Sequence, residues 1–524
     1  MKTGINDLEN YKKTDVQLYN HLLETKKIPS EALNAALLET NVNNEPLSNI
    51  IVRNGFISQM DIIDLMIKLE PDYLVDEQVI IPTIDPSILK NLQTMIHAVT
   101  IGHVYLATTK SEEEVVDNLK QYFPEHKFEF IPCDVEKLDS YLERADSIFN
   151  DEGSLVEKVI RKAIQNGVSD IHIVPHHDTY SVLYRYLGVR YVDYIRGKEE
   201  YLALVARIKD LSKIDMTEKR VPQDGGFALD YNGKMVDLRV ATIPNTYGEQ
   251  VIIRILDPDK AQFSLSQLGI TNISEWRKGA SRVDGLCLIC GPTGSGKTTT
   301  LNSTLRELDR FGKAIYTIED PVEYRIPYIG QVNINPAVGL DFARAVKAFM
   351  RADPDVIVIG EIRDAETARN AIKAAETGHL VFATLHTGSI PGAINRLRDL
   401  GVEAHELKYV LRSVMAQRLL RTVCTSCLGD GCKFCFDKGY ASRTVISEIK
   451  YFSNMKDVLN IIATKEKDVE ITWKTIQEDA FDKVKSGLSS PGEFIRSFGP
   501  EAEEMLLENG YDLSKIDDKG IYRG

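Results

Sequence analysis

The sequence predicts an α/β protein of several domains whose C-terminal part is built on a mainly parallel sheet. The chain has 524 residues, which at roughly 150 residues per domain is enough for three or four domains. From about residue 267 onward, apolar strand-like segments alternate with helical ones, a pattern typical of a parallel sheet covered on both faces. Residues 151–262 are rich in strands instead, so we expect an α+β domain before the parallel sheet.

The composition is that of a globular protein. Apolar residues make up 43% and charged residues 27% of the chain, and the net charge is −14 with a pI near 5.4. A net anion repels phosphate backbones, so nucleic acid is not expected as a partner. No apolar run reaches the ~18 residues that span a bilayer, and the N-terminus has no apolar signal segment. We therefore expect a soluble, cytoplasmic chain.

Residues 1–150 are predicted to form an N-terminal α/β module that ends in a linker helix. Its predicted helices and strands cover residues 30–40, 59–69, 98–109 and 127–134, judged from the period of their apolar residues. Helical spacing continues over residues 136–167, which we interpret as the connection to the second domain.

The middle domain is predicted over residues 151–262. Its strands are expected at residues 169–175, 180–187, 225–233, 235–243 and 249–256. The polar segment 257–269, which contains a proline and ends on a glycine, is the predicted joint to the next domain.

Residues 267–524 are predicted to form the third domain. Its parallel strands are expected at residues 285–291, 313–320, 354–360 and 379–386. A small subdomain over residues 422–442 carries four cysteines, and residues 450–524 have a helical, polar pattern. The last residues, 512–524, are expected to be disordered.

A phosphate-binding loop is predicted where the first parallel strand meets a helix. The segment from Gly291 to Thr298 matches G-x-x-x-x-G-K-[ST] in full. Its glycines let backbone N–H groups surround phosphate oxygens, and the helix N-terminus adds positive potential. Lys297 is expected to reach the β and γ phosphates, and the Thr298 hydroxyl to ligate Mg²⁺. The predicted nucleotide-binding residues are Gly291, Pro292, Thr293, Gly294, Ser295, Gly296, Lys297, Thr298 and Thr299.

Carboxylates follow two of the predicted parallel strands. Glu361 comes after residues 354–360, at the edge where ligands bind an open α/β sheet, and is the candidate for the magnesium shell. Glu319 and Asp320 end another strand and are expected to support the nucleotide and metal. Glu323, just beyond them, is placed to polarise the attacking water. Alternatively, these acids only solvate a turn.

Two histidines flank the last predicted parallel strand. His386 stands at its C-terminal end, where it is expected to hydrogen-bond the γ-phosphate. His379 is equally well explained as a structural residue. The two are seven residues apart, so they point to opposite faces of a regular strand, which disfavours a shared metal site.

Four cysteines form two C-x-x-C pairs within twelve residues, with Gly429 and Gly431 between the pairs. Four thiolates are the ligand set of a closed, structural Zn²⁺ site. A reduced loop or a redox pair is the alternative. The predicted zinc ligands are Cys424, Cys427, Cys432 and Cys435. The other three cysteines, Cys133, Cys287 and Cys290, are expected to be inert core residues.

In order and spacing, four segments resemble the Walker A, Asp box, Walker B and His box of the secretion ATPases, the family of type II secretion and type IV pilus assembly motors. They are GPTGSGKTTT, IEDPVEY, DPDVIVIGEIRD and TGHLVFATLHT. The resemblance extends to the middle domain through RVPQDGGF and to the cysteine segment through QRLLRTVC. It implies a RecA-like P-loop domain behind a PAS-like α+β middle domain and an N-terminal α/β module.

The resemblance also implies roles. Glu361 becomes the Walker B glutamate and Glu323 the catalytic base, and Arg239 and Arg254 match middle-domain arginines that act on a bound γ-phosphate. It further implies ATP and Mg²⁺ as ligands, a homohexameric ring, and an inner-membrane platform protein as partner, with the chain held at the inner face of the cytoplasmic membrane.

The function expected from this resemblance is a motor that powers pilus extension or protein secretion. A pilus retraction or DNA-uptake motor is the nearest alternative. A nucleotide-regulated adaptor that does not hydrolyse ATP, and a nucleic-acid translocase, are the others.

The N-terminal module resembles the family's own module only weakly. Relatives that bind cyclic di-GMP there carry R-L-G before the helix, and this chain has Pro46-Leu47-Ser48 instead. We therefore do not predict cyclic di-GMP as a ligand. Docking to a membrane partner and a purely structural role are equally compatible with the module.

Overall fold

In the residues that it describes, the computed structural model contains three β-sheets, each with its own set of helices. The residues that it describes are 11–43, 46–57, 61–62, 65–66, 69, 84, 86–99, 103–124, 126–150, 155–231, 234–256, 263–463 and 469–524. The helices are α1 Lys13–Thr25, α2 Ser30–Asn43, α3 Leu47–Arg53, α4 Pro86–Asn91, α5 Glu112–Leu119, α6 Val135–Asn150, α7 Leu155–Gln165, α8 Tyr201–Leu211, α9 Ile273–Ala280, α10 Lys297–Glu307, α11 Phe342–Phe349, α12 Ala365–Glu376, α13 Ile390–Asp399, α14 Ala404–Val410, α15 Met455–Ala463, α16 Ile476–Lys485, α17 Pro491–Phe498 and α18 Pro500–Glu508. The strands are β1 Thr94–Val99, β2 His103–Thr108, β3 Lys127–Phe130, β4 Asp170–Pro175, β5 Thr179–Tyr186, β6 Val189–Gly197, β7 Gln223–Tyr231, β8 Lys234–Asn245, β9 Gly248–Leu256, β10 Gly285–Cys290, β11 Ile315–Glu319, β12 Gly330–Asn333, β13 Val356–Ile359, β14 Leu380–Leu385, β15 Leu411–Val423 and β16 Tyr440–Tyr451.

The N-terminal part consists of a helical unit followed by a small three-stranded sheet. Helices α1, α2 and α3 share one buried apolar cluster, and the sheet has the order β1-β2-β3. The segment 98–109, expected to be strand-like, contains the end of β1 and the whole of β2, and these two strands pair antiparallel. Most of the helix expected at residues 59–69 lies outside the described residues.

The middle part is a six-stranded antiparallel sheet of order β6-β5-β4-β9-β8-β7. Helices α7 and α8 pack on it through a continuous buried core. All five expected strands are present, but β6 was not predicted. Its residues are half-buried or exposed along their length, so an edge strand of this kind lacks the apolar alternation on which the prediction depends. Residues 257–262 of the expected joint lie outside the described residues.

The third sheet has seven strands in the order β12-β11-β13-β14-β10-β15-β16. All neighbouring strands are parallel except β15 and β16. Every residue of β10, β13 and β14 is buried, as expected of central strands covered by helices on both faces. The predicted α/β class with a mainly parallel sheet is confirmed. Since parallel strands end at one edge, the segments after β10, β11, β13 and β14 converge there.

The C-terminal tail is ordered, and the expectation of disorder for residues 512–524 was wrong. Ile516 and Tyr522 form a β-bridge, and the carbonyl of Lys519 accepts a hydrogen bond of 2.7 Å from the Tyr440 hydroxyl. Arg523 pairs with Asp517 at 2.9 Å and with Asp430 of the cysteine segment at 2.6 Å. The tail is therefore held by hydrogen bonds and ion pairs within itself and to the folded domain.

Within the described residues, no helix is long and apolar enough to cross a membrane.

Candidate functional site

The predicted phosphate-binding loop connects the buried strand β10 to helix α10. Gly294 and Gly296 have φ of 77° and 86°, the left-handed region that glycine adopts without strain. A Cβ at Gly291 would lie 2.4 Å from the carbonyl oxygen of Gln417, whereas a Cβ at Gly294 would meet nothing within 4 Å. The loop is thus tightly packed on its sheet side and open on the other.

The open side has the features of an anion-binding cradle. Pro292 and Thr293 are exposed at its rim, and Thr298 and Thr299 lie half-buried in the first turn of α10. The buried hydroxyls of Ser295 and Thr300 have no hydrogen-bond partner among the described residues. Orphaned hydroxyls beside a helix N-terminus fit a phosphate group.

Lys297 is folded back onto its own loop. Its Nζ donates to the carbonyl oxygens of Gly291 at 2.7 Å and Pro292 at 3.1 Å. Burial lowers the pKa of the Lys297 ammonium group, and the Glu361 carboxylate opposes that shift. The lysine therefore lies in the cradle near the acid that follows β13.

Glu361 is held by two cationic or polar partners. Arg363 donates to one carboxylate oxygen from Nε at 2.8 Å and from Nη2 at 2.7 Å. His386 Nε2 lies 3.2 Å from the other oxygen. The structure therefore brings together Glu361 and His386, which the sequence predicted at the C-terminal ends of two parallel strands. His379 instead contacts the Ala374 carbonyl oxygen at 2.8 Å, at the opposite end of β14.

Glu319 lies inside the domain instead of in the open cleft. Its carboxylate accepts hydrogen bonds from the Thr317 hydroxyl at 2.7 Å and the Gln331 amide at 3.2 Å. Burial raises the pKa of Glu319, and these two hydrogen bonds oppose the shift. Glu323 is half-buried on the loop that follows. A direct role of Glu319 toward nucleotide stays a prediction.

The two middle-domain arginines are cross-strand neighbours but have different partners. Arg239 on β8 stands opposite Arg254 on β9. Arg239 Nη2 donates to the carbonyl oxygen of Val322 at 3.3 Å, next to Glu323. Arg254 pairs instead with Asp170 of its own sheet at 3.0 Å. Arg239 thus reaches the acidic loop of the P-loop domain in this conformation, and Arg254 is held by the middle sheet.

Thr298 and Glu361 have the donor chemistry that magnesium would require. Magnesium prefers oxygen ligands and keeps several waters, and these two residues offer a hydroxyl and a carboxylate. Both residues stay predicted ligands.

Gln417 is a further residue of the site that sequence reasoning missed. It is fully buried on β15, and its amide donates to the Ser295 carbonyl at 2.8 Å. Arg363 and Gln331 were missed as well. Each is a polar residue beside a motif, and the only signal in the sequence was its position within or near a recognised segment.

The four predicted zinc ligands converge at one point. Their sulfur atoms all lie within 4.8 Å of one another, and three of the pairs are 3.7–3.8 Å apart. Four sulfurs about 2.3 Å from a central Zn²⁺ are about 3.8 Å apart. Gly429 and Gly431 have φ of 95° and 100° and let the chain turn between the pairs. The donor set therefore fits zinc in number, kind and spacing.

Backbone N–H groups also point at the sulfur atoms. Gly431 N lies 3.2 Å from Cys427 Sγ, and Gly439 N lies 3.3 Å from Cys435 Sγ. Such donors stabilise thiolates and orient metal ligands. Of the remaining cysteines, Cys287 and Cys290 are buried in the core, as expected, and Cys133 is half-buried.

The fold and the loop define a P-loop nucleoside triphosphatase. A family model described as "Type II/IV secretion system protein" matches residues 150–504. The chain belongs to this family, and it is an ATPase of the secretion and pilus motor class. The resemblance seen in the sequence is confirmed.

Two curated relatives illustrate the similarity. The type II secretion system ATPase E of Vibrio cholerae is 39% identical over 373 residues, which cover 65% of this chain and 74% of that protein. The type II secretion system protein E of Dickeya dadantii is 39% identical over 374 residues, with the same coverage. Among solved structures, the ATPase DotB of Legionella pneumophila has the same fold over 68% of this chain and 95% of its own, with a TM-score of 0.52 and 20% identity.

Proposed function

We propose that the chain is an ATP-driven motor that powers type IV pilus extension or type II protein secretion. The observation that carries the proposal is the contact of Arg239 with the Val322 carbonyl, which places a cation of the middle domain beside Glu323. A guanidinium group that reaches the transferred phosphoryl group neutralises developing charge. If it arrives only when the domains close, hydrolysis and domain movement become coupled.

We assign a separate role in ATP binding or hydrolysis to each residue of the site. The N–H groups of the loop and Lys297 bind the phosphates of ATP, and Lys297 must leave the carbonyl oxygens of Gly291 and Pro292 to do so. Glu323 accepts a proton from the attacking water. His386 and Arg363 fix the Glu361 carboxylate through its two oxygens, and His386 contacts the γ-phosphate. Mg²⁺ at Thr298 and Glu361 would neutralise phosphate charge.

The assembly belongs to the same proposal. The curated relatives are named as parts of type II secretion systems, which supports work within a secretion system. The homohexameric ring, and its action on an inner-membrane platform protein from the cytoplasmic face, are the finer part of the proposal and follow from the family resemblance. Zinc in the four-cysteine cluster stabilises a segment that has little apolar core of its own. Retraction motors generally lack both the N-terminal module and the cysteine subdomain, so this architecture favours extension.

ATP turnover by the full chain tests the proposal. Arg239→Ala is expected to lower the rate by about 10³-fold, the range known for catalytic arginines, while nucleotide affinity stays nearly unchanged. Arg207→Ala is the matched control, because Arg207 belongs to the same domain but is half-exposed and pairs with Asp210 on α8. The wild type should turn over ATP far faster than Glu361→Gln. Equal, near-zero rates for wild type and Glu361→Gln would identify a non-hydrolysing adaptor.

A further inference from the structure

A hairpin of the middle sheet touches the cysteine loop, the segment 424–439. The hairpin consists of β5 and β6 and turns at Leu187 and Gly188, whose φ values of 48° and 85° suit a tight two-residue turn. Tyr186, the last residue of β5, is 8% exposed. Its ring meets the ring of Phe436 edge-to-face, with centroids 5.7 Å apart and planes at 89°. This is a favourable geometry for an aromatic pair.

Two further contacts join the same elements. The Tyr186 hydroxyl lies 3.4 Å from the carbonyl oxygens of both Tyr440 and Ala441, just after the cysteine loop. Lys438 Nζ lies 4.1 Å from the centroid of the Tyr191 ring on β6, within cation–π range. The contact therefore combines an aromatic pair, polar contacts and a cation–π contact, all made with one hairpin.

The cysteines control how the loop presents Phe436. Phe436 and Asp437 have φ of 50° and 59°, a region that a bulky side chain adopts only when its surroundings hold it there. The backbone N–H of Asp437 donates to the Cys432 carbonyl at 2.9 Å, so it closes the turn around the second cysteine pair. Four thiolates fixed by a metal would keep this turn closed, and with it the direction of the Phe436 ring.

The first cysteine pair provides an internal comparison. Leu428 follows Cys427 as Phe436 follows Cys435, and its φ is likewise 50°. Leu428 is 71% exposed, whereas Phe436 is half-buried against Tyr186. Phe434, two residues before Phe436, is 44% exposed. Two similar turns thus present an apolar side chain each, and the structure gives only the second a partner in the middle sheet among the described residues.

We infer that the metal-loaded cysteine loop is the docking surface for the β5–β6 hairpin of its own chain. The loop joins the middle domain to the P-loop domain at a second place, separate from the Arg239 contact. In the middle sheet, β5 and β8 are three strands apart, or about 14 Å. The hairpin is therefore a pivot, and the end of the sheet that carries Arg239 moves about it.

The docking contact needs no nucleotide, so it goes beyond the proposed function and is tested without ATP. Hydrogen exchange is measured on the full, zinc-loaded chain for the peptide that spans residues 184–194. Phe436→Ala should raise its exchange rate about tenfold, because the aromatic pair that covers the hairpin is lost. Phe434→Ala and Leu428→Ala are the matched controls and should leave this peptide unchanged. Lys438→Ala, a surface change, should have a smaller effect in the same direction.

Removal of zinc by a chelator is the second arm. It should expose the hairpin of the wild type at least as much as Phe436→Ala does, and it should add only a small further increase in that variant. Zinc content of one ion per chain and an unchanged exchange of β13 verify that each variant is folded. Equal hairpin exchange in Phe436→Ala, Phe434→Ala and wild type would overturn the inference. So would an unchanged hairpin after zinc removal, when the cysteine loop itself has lost protection.

Discussion

Gln417 donates its amide to the Ser295 carbonyl from a strand 122 residues further along the chain. Its own carbonyl oxygen lies where a side chain on Gly291 would have to go. Gln417 therefore holds the centre of the phosphate-binding loop by a hydrogen bond, and its backbone leaves no room for a side chain at the first glycine of the loop. The sequence motif determines that a cradle forms, but its exact shape depends on this distant strand.

Replacement of Gln417 by methionine tests that role. Methionine has a similar length but no amide donor, so the Ser295 carbonyl loses a buried hydrogen bond worth about 1 kcal/mol. We expect ATP affinity to fall roughly fivefold to tenfold, with a small change in melting temperature. Isothermal titration with nucleotide measures the ATP affinity. The control is Leu419→Met on the same strand. Full affinity in Gln417→Met would show that the loop keeps its shape without the amide.

Glu319 gives a prediction about pH. Burial raises its pKa in the folded state, so the folded chain binds more protons than the unfolded chain as the pH rises above the ordinary glutamate range. Stability should therefore be fully present at low pH and should decline as the pH rises through the folded pKa. Glu319→Gln keeps acceptors for Thr317 and Gln331 and removes the charge.

Thermal melting of Glu319→Gln from pH 4.5 to pH 8 checks this sign. The variant should gain stability relative to wild type as the pH rises, with the smallest difference at the acidic end. A gain largest at the acidic end would contradict the assignment of Glu319 as a buried acid. Glu366→Gln serves as control, because its carboxylate is 59% exposed.

At the scale of the elements, two glycines of the β10–α10 connection have different tasks. Alanine at Gly291 would place a Cβ 2.4 Å from the Gln417 carbonyl, whereas alanine at Gly294 meets open space at a φ of 77°. Gly291→Ala should cost about 1–3 kcal/mol of stability, because the loop must leave its sheet. Gly294→Ala should cost about 1 kcal/mol from strain alone, but its methyl group enters the cradle, so nucleotide binding is lost.

Denaturant unfolding and nucleotide titration of both variants separate the two effects. The stability ranking expected is wild type, Gly294→Ala, then Gly291→Ala. The reverse ranking would mean that the packed side of the loop is the one facing Gly294.

The elements that the sequence predicted well share one property. Strands β10, β13 and β14 are buried on both faces, so their apolar runs stand out in the sequence. The edge strand β6 was missed because its residues lack apolar alternation, whereas the C-terminal tail was missed because its order comes from partners far along the chain. Tyr440 holds Lys519 and Asp430 holds Arg523, and no local pattern reports such contacts.

At the candidate site, too, the sequence predicted the elements but not the contacts between distant residues. The motif residues converge because parallel strands end at one edge, and this much was predictable for Glu361 and His386. Whether a carboxylate faces the cleft or the interior was not predictable. Glu319 turns inward because Thr317 and Gln331 offer it hydrogen bonds there. The cysteine cluster was predictable in chemistry, and the structure adds its spacing and its contact with the middle sheet.

At the scale of the whole molecule, two of the contacts between the middle sheet and the P-loop domain in the described residues differ in chemistry. The β5–β6 hairpin meets the cysteine loop through rings, and Arg239 meets the acidic loop through one hydrogen bond of 3.3 Å. A single polar contact is easily exchanged for water, whereas an aromatic contact is not. This asymmetry suits a domain that swings at the Arg239 end while the other end stays in place.

The most direct test is the distance between the two domains as a function of ATP. Fluorescent labels at Met235 on β8 and at Val338 near α11, both well exposed, report the Arg239 end of the middle sheet. In the Glu361→Gln background, which holds ATP unhydrolysed, the distance should shorten on addition of ATP and Mg²⁺, and it should stay fixed in Lys297→Ala and Arg239→Ala. If the distance between the labels in Glu361→Gln is the same without ATP and with saturating ATP, the proposal that ATP closes the two domains is contradicted.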